Sequence, residues 1–395
     1  MRNHFQLSFL DLTIKKLIPP NDPLKILFES IDFSPISNII NNHYKPKGAH
    51  GYNPTSLLKA ILLIYLGLAN SERDLASKLK YNARLAFLTG FSLGNTPSHA
   101  TFHYFRKRLG PDTFLSILSY LIAQAVAIIT KEKLSLSIDS THFEFLKSDK
   151  DAKWGVKEMN FFFFGYKVHT AIANTDPPVP ISIEITPGNK HDGKMLKPLI
   201  KKAKRIIPKN RDIIEVLADA AYDSIENLSF LENHNITPYI PENKRNRKNP
   251  ITRGDVFITE EGNIICKAGL KLLYWGYDRK RKRYKFRCPL VKKDGLCLFR
   301  ETCWRTRYGP VFYLHEGKSV MDRVRVIRDS PKFKEVYKKR THIERFFSII
   351  KRRHRLLEVR VRGMREVLIH VVLSVMAYLL RLIAGSRMKV GLLSV

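Results

Sequence analysis

The chain has 395 residues and carries 69 lysines and arginines against 36 acids, a formal net charge of +33. With 44% hydrophobic and 11% aromatic residues it holds ample material for a core, which excludes a disordered basic tail. The charge excludes, as a first reading, enzymes without an anionic substrate, and points to a polyanionic partner; the length predicts two or three domains.

The first 130 residues read as a helical domain. Asp11 and two lysines interrupt the N-terminal apolar stretch, so no export signal is expected and the compartment reads as cytoplasmic. Pro54 marks the start of a helix over Thr55 to Ala69, and Ser71 with acids behind it caps a second over Ser71 to Leu79. A short helix from Asn82 to Leu88, a loop from Gly90 to Pro97, a helix from Ser98 to Leu109 and a long apolar helix after Pro111 follow. The helix bearing His99, His103, Arg106, Lys107 and Arg108 allows a helix-turn-helix reading in which Arg106 and Arg108 touch DNA; the alternative is a plain bundle with a basic edge. Thr113 to Thr130 and Val367 to Leu380 lack charged residues. The first holds Ser116, Ser119, Tyr120 and Gln124 and the second is shorter than the ~20 residues of a span, so both are expected as buried helices, with no membrane partner.

After Lys131 the period changes to two. Leu134, Leu136 and Ile138 alternate with Ser135, Ser137 and Asp139, predicting a strand that Asp139 closes. Gly165 to Ala173 and Val179 to Thr186 predict two more strands, Asp192 to Ile206 a helix, Ile213 to Ala218 a strand ending at Asp219, Ile225 to His234 a helix, and Thr237 to Ile240 a last strand.

From about Pro241 to Tyr313 the composition turns to Arg, Lys, Gly and aromatics. Lys244 to Arg307 holds 19 basic and 6 acidic residues, and Lys332 to Arg365 holds 13 and 3. A surface kept only for solubility intersperses both signs, so these runs read as a nucleic-acid footprint. Trp275, Tyr277, Tyr284, Phe286 and Trp304 interleave with the run Arg279 to Arg283, a pattern suited to gripping DNA through Arg279 and Arg281. All four cysteines, Cys266, Cys288, Cys297 and Cys303, fall here. Their spacing lacks the close pair usual in structural zinc sites, which leaves open a zinc site or reduced, part-buried thiols.

Ser330-Pro331 starts a basic helix running to Glu358, and an apolar helix from Arg365 to Ala384 ends the pattern. Placed on one continuous helix, Tyr337, Arg340, Glu344 and Lys351 fall within an arc of roughly 60° and about 21 Å of length. Beside them lies an apolar stripe of Ile343, Phe346, Phe347 and Ile350. Arg340 and Glu344 alone form an ordinary surface pair. A lone Asp after a strand is usually a turn former or cap, but Asp139, Asp219 and Glu344 on three separate elements of a basic protein need cations to coexist, and such oxygen donors suit Mg²⁺ or Mn²⁺.

These residues resemble the bacterial insertion-sequence DDE transposases that carry a Tyr-Arg-Glu-Lys signature on a ribonuclease-H-like core. Tyr337-x2-Arg340-x3-Glu344-x6-Lys351 matches that signature, and SIDSTHFE at Asp139, GYKVHTA at Lys167, TPGNKHD to Asp192 and LADAAYDS at Asp219 are similar to the family's segments. The resemblance implies an α/β fold: a mixed sheet with flanking helices (residues 131–240 and 314–395), interrupted by the basic cysteine-bearing insertion (241–313) and preceded by an all-helical DNA-end-binding domain (1–130). It implies two divalent ions on Asp139, Asp219 and Glu344, hydrolysis that frees a 3′-hydroxyl, and its transfer to target DNA. Arg340 and Lys351, with Tyr337 beside them, would contact DNA near the scissile bond. The implied partners are duplex DNA as terminal inverted repeats and target, and a second copy in a homodimer on DNA, at the bacterial nucleoid. The rival readings are a ribonuclease-H-like nuclease or resolvase sharing the metal site, and a catalytically silent DNA-binding element protein.

Overall fold

The structure, a computed structural model, describes residues 9–44, 51–145, 147–158, 161–243, 256–258, 263–291, 297–303, 309–315 and 318–393. The chain forms two compact units, Met1–Ile214 with Lys338–Val395, and Glu215–Tyr337.

The first unit opens with α1 (Phe9–Leu17), α2 (Pro23–Glu29), α3 (Ser34–Asn41), α4 (Pro54–Tyr65), α5 (Glu72–Tyr81), α6 (Ala83–Thr89) and α7 (His99–Ile129). The sequence signals act where expected. Asn53 accepts from Thr55 and Ser56 N–H ahead of Pro54, and Ser71 accepts from Asp74 N–H with Glu72 and Asp74 in the first turn. Gly110 takes φ +69° and ψ 171°, and Pro111 lacks the N–H that would continue the ladder, so α7 is two helices meeting at a kink. That is the break read from the sequence.

The sheet follows. β1 (Lys133–Glu144) pairs antiparallel with β3 (Phe161–Ala173), whose outer edge takes β2 (Lys153–Glu158) along its first part and β4 (Val179–Pro187) along its second. A 3-10 turn (Asp192–Met195) leads into α8 (Leu196–Ile206), then β5 (Asp212–Leu217) starts beside β1, where Asp212 N–H donates to Glu132 O at 2.8 Å. Leaving β2 aside, the order is β4-β3-β1-β5, continued by a parallel strand β6 (Thr237–Tyr239). Three antiparallel strands followed by a parallel pair agree with the expected ribonuclease-H-like mixed sheet.

Two expectations about strands are corrected. β1 does not end at Asp139 but runs to Glu144, because β3 satisfies the backbone through Glu144↔Gly165, the buried positions passing from the face of Leu134, Leu136 and Ile138 to that of Thr141 and Phe143. The strand β2 is likewise absent from the elements expected above.

In the second unit α9 (Ile225–Glu232) joins β5 to β6. The insertion is built of strands: β7 (Val256–Ile258) with β8 (Ile264–Cys266), then β9 (Leu273–Asp278) and β10 (Arg283–Arg287), then α10 (Arg300–Cys303) and β11 (Val311–His315), with β9, β10 and β11 forming a three-stranded antiparallel sheet. α11 (Lys318–Asp329), another element without a clear sequence signal, and α12 (Pro331–Tyr337) end the unit. Leu217, Tyr239 and Val336 make a small core there, covered by Ile327, Phe333 and Tyr337.

Back in the first unit, a 3-10 turn (Lys338–Arg340) precedes α13 (Thr341–Arg353) and α14 (Met364–Leu393). The single basic helix expected from Pro331 is therefore interrupted: Tyr337 ends α12, while Arg340 at the cap, Glu344 and Lys351 keep one face of α13. Thr341 Oγ donates to Lys338 O at 3.0 Å, the local side-chain to backbone bond that competes with helical continuation. α14 and α7 are both long and apolar enough to cross a membrane. The stretch of α14 from Val367 to Leu380, however, is almost wholly buried, and α14 packs on α7, α4, α2 and β4, as a core helix does.

Candidate active site

Asp139 lies in mid-strand on β1, opposite Thr170 of β3. Ser140 N–H donates to its Oδ1 at 2.8 Å, and the Arg340 guanidinium donates to Oδ2 at 2.8 Å. Arg340 caps α13, and its other terminal nitrogen stands 4.0 Å from Glu344, one turn along that helix. One cation thus draws together two of the three expected acids, from a strand and a helix. The Asp139 and Arg340 side chains are about four-fifths buried, while Glu344 is exposed. α13 holds this geometry by burying Ile343, Phe346, Phe347 and Ile350, the stripe read from the sequence. Lys351 sits half-buried two turns further along α13.

The third acid belongs to the second unit. Asp219 follows β5 and caps the 3-10 turn Ala220–Tyr222, accepting from Ala221 N–H at 2.9 Å. Four residues on, Asp223 is buried and paired with Arg328 at 2.7 Å, and it also accepts from Asn243 N–H at 2.8 Å. The sequence offered no signal for that pair, since its partners are 105 residues apart. Tyr337, in the same unit, stacks on Phe333 with ring centroids 5.5 Å apart.

Among the described residues no three His, Cys, Asp or Glu side chains converge closely enough to hold a metal ion. In chemistry the three carboxylates are hard oxygen donors of the kind divalent ions take, and Arg340 already supplies positive charge between two of them.

A second polar cluster lies on the other face of the sheet. Lys167 and His169 alternate away from Thr170, and Lys167 Nζ donates to Asp192 at 2.9 Å. Asp192 also stands 3.7 Å from His169 Nδ1, and His169 Nε2 meets Thr186 Oγ at 2.8 Å. Burial pushes His169 down to about 4 against the opposing pull of Asp192. The segments around Lys167 and Asp192 stand out in the sequence; that they meet beneath β3 is not visible there.

The remaining predicted residues fall into two groups. Arg106 is not presented to solvent: it pairs with Glu72 at 2.8 Å and Glu366 at 3.1 Å, tying α5, α7 and α14 together. Arg108 is exposed over the Tyr44 ring, and Arg279 and Arg281 are exposed on the turn between β9 and β10. Trp275 carries Arg287 over its ring at 4.1 Å; Trp304 lies outside the described residues. Cys266 and Cys288 share a buried cluster with Leu272, Phe286 and Phe312. Burial raises the Cys288 thiol, and Cys266, Cys297 and Cys303 are near enough to raise it further.

Comparison with known proteins gives two family matches, the transposase DDE domain over residues 131–380 and the transposase domain (DUF772) over residues 12–108. No curated relative matches the chain. Among solved structures, the Drosophila P element transposase strand transfer complex matches at 12% identity, covering 66% of this chain and 53% of that chain, with a TM-score of 0.27. The Mos1 strand transfer complex matches at 11% identity over 49% of this chain and 60% of that chain, with a TM-score of 0.18. The likeness in three dimensions is slight, and this chain spans about half the length of the P element protein it matches. The first family match alone takes in the sheet, the insertion, α13 and most of α14, and by it the chain belongs to the family of transposases built on the transposase DDE domain.

Proposed function

We propose that the chain is a DNA transposase that binds the terminal inverted repeats of its own element, hydrolyses the end, and joins the freed 3′-hydroxyl to target DNA. The observation that carries this is the Arg340 guanidinium lying between Asp139 and Glu344, which gathers an acid of β1 and an acid of α13 at one cation. Asp139, Asp219 and Glu344 are the residues that would hold two Mg²⁺ or Mn²⁺ ions, and such ions would supply charge stabilisation to an in-line displacement at phosphorus. Arg340 holds Asp139 in place, and with Lys351 and Tyr337 it is proposed to contact the phosphates beside the scissile bond. No covalent enzyme intermediate is needed, so Tyr337 is not a nucleophile.

Residues 1–130 are proposed to bind the element ends, with Arg108 exposed for contact and Arg106 holding the helices together. Arg279 and Arg281 extend the footprint over the insertion, and two copies assemble on DNA at the nucleoid. Cys266 and Cys288 pack in the apolar core of the insertion, which favours reduced, part-buried thiols over a structural Zn²⁺ site. Elemental analysis decides between the two readings, about one zinc per chain being expected only if the thiols hold the ion. Protein free of zinc whose four thiols are all alkylated in the native state would bear out the reduced thiols.

The central test uses a duplex carrying the element end. Asp139→Asn is expected to abolish Mg²⁺-dependent cleavage while binding the same duplex in chelator with unchanged affinity. Cleavage retained by that variant would remove the proposed site.

A further inference from the structure

The hairpin of β2 and β3 has one buried face and one bare apolar face. Phe163 is buried against Gly155, where a Cβ would come within 2.6 Å of its ring, and it packs on His142 at 4.6 Å. The opposite face carries Trp154 facing Phe164 and Val156 facing Phe162, with Trp154, Val156 and Phe162 54%, 58% and 60% exposed. Phe161, also exposed, stands at the tip. The base is fixed: buried Asp149 accepts from Tyr166 OH at 2.7 Å and from Gly363 N–H at 2.8 Å. Trp154 and Phe164 meet edge to face with centroids 5.6 Å apart, and a strip of aromatics left to water in this way marks a surface that something covers.

Charge decides what covers it. Lys147 lies over the Trp154 ring at 5.5 Å, and Lys150 and Lys153 are exposed alongside, with Asp151 the exposed acid among them. A second copy laid on this face would set lysines against lysines on a chain of net charge +33. Exposed ring faces with cations at their margin instead match unpaired nucleobases, which stack on aromatics while lysines meet the phosphates. Phe162 and Phe164 share the face of β3 that carries Thr170, the partner of Asp139, because side chains alternate with period two. Tyr166 and Val168 on that face are buried, so the exposed aromatics are confined to the outer end of the hairpin, roughly 20 Å along the strand from Thr170 at about 3.4 Å per residue.

We infer that Trp154, Phe162 and Phe164, flanked by Lys147 and Lys153, form a stacking platform for unpaired bases of single-stranded DNA. The inference rests on the reading that the chain handles DNA, and the test separates the two. Fluorescence anisotropy in chelator would compare labelled dT20 with a 20-base-pair duplex. The double variant Trp154→Ala/Phe162→Ala is expected to bind dT20 at least about tenfold more weakly and the duplex within threefold of wild type. Trp154→Tyr should keep dT20 affinity. On the wild-type chain, photocrosslinking of dT20 substituted with 5-iodouracil should place adducts at Trp154, Phe161 or Phe162, a readout independent of how the variant folds. Unchanged dT20 affinity in the folded double variant, or adducts confined to other segments, would overturn the platform. So would a wild-type dimer that the double variant converts to monomer with dT20 binding intact. Wild type that binds neither DNA would count against the transposase reading as well.

Discussion

At the scale of single residues, two arginines that look alike in sequence do different work. Arg340 neutralises Asp139 with both side chains largely withdrawn from water, so removing the guanidinium leaves a carboxylate short of its cation. Arg340→Ala is therefore expected to lower stability by about 1–3 kcal/mol in chelator. Mg²⁺ should restore part of that stability, because a bound cation stabilises the state that holds it. Thermal melts with and without the ion read this, and identical melting temperatures for variant and wild type in chelator would show that the pair contributes nothing. Arg106 sits between Glu72 and Glu366 with its side chain only 12% exposed. Arg106→Ala should cost about 2 kcal/mol of stability and leave the salt slope of DNA binding unchanged. A flattened slope with an unmoved melting temperature would return Arg106 to the DNA surface.

At the scale of elements, the joint between α4 and α14 is polar as well as apolar. The Leu356 carbonyl can only accept, so His370 Nε2 carries the proton that bonds it at 3.2 Å, and Nδ1 accepts from Tyr65 OH at 3.1 Å. His354 Nδ1 donates to Tyr65 O at 3.1 Å. Burial pushes both histidines from 6.5 down to about 4, with Arg106 adding to the effect at His370 and Arg381 and Arg353 at His354. The unfolded chain takes up these protons first as pH falls. Their contribution is full above pH 6.5 and lost progressively between 6.5 and 4, by about 2 kcal/mol per histidine at pH 5. Urea midpoints at pH 7.5 and 5.0 test this: His370→Gln should be less stable at both values yet lose about 2 kcal/mol less between them than wild type does. An equal pH loss in both proteins would show that His370 is protonated in the fold.

At the scale of the molecule, 23 of the 33 excess charges fall in Lys244 to Arg307 and Lys332 to Arg365. DNA binding should accordingly weaken steeply with salt. Replacing Arg279, Lys280 and Arg281 together by alanine should flatten the plot of log affinity against log salt by about two to three units, one for each phosphate no longer neutralised. All three are exposed on a turn, so the melting temperature should hold. A slope equal to that of wild type would place the insertion away from the DNA.

Local chemistry was legible in the sequence because it needs only neighbours along the chain. The helix start at Pro54, the cap at Ser71, the break at Gly110-Pro111, the period-two strands and the apolar stripe of α13 all rest on interactions within a few residues. The acids at Asp139, Asp219 and Glu344 could be singled out for the same reason, as could the family they resemble. Other features depended on partners far apart in the chain. β1 continues past Asp139 because β3, thirty residues on, completes its hydrogen bonds. Lys167 and Asp192 meet on the face opposite Asp139, and the hairpin of β2 and β3 keeps its aromatic face bare, because strand pairing decides which side each residue takes. Arg340 reads as a helix-surface residue until α13 packs on β1 and brings it to Asp139, 201 positions away. Sequence determined which groups could carry charge, stack or cap; tertiary pairing decided which of them meet, because that is settled by packing between distant elements.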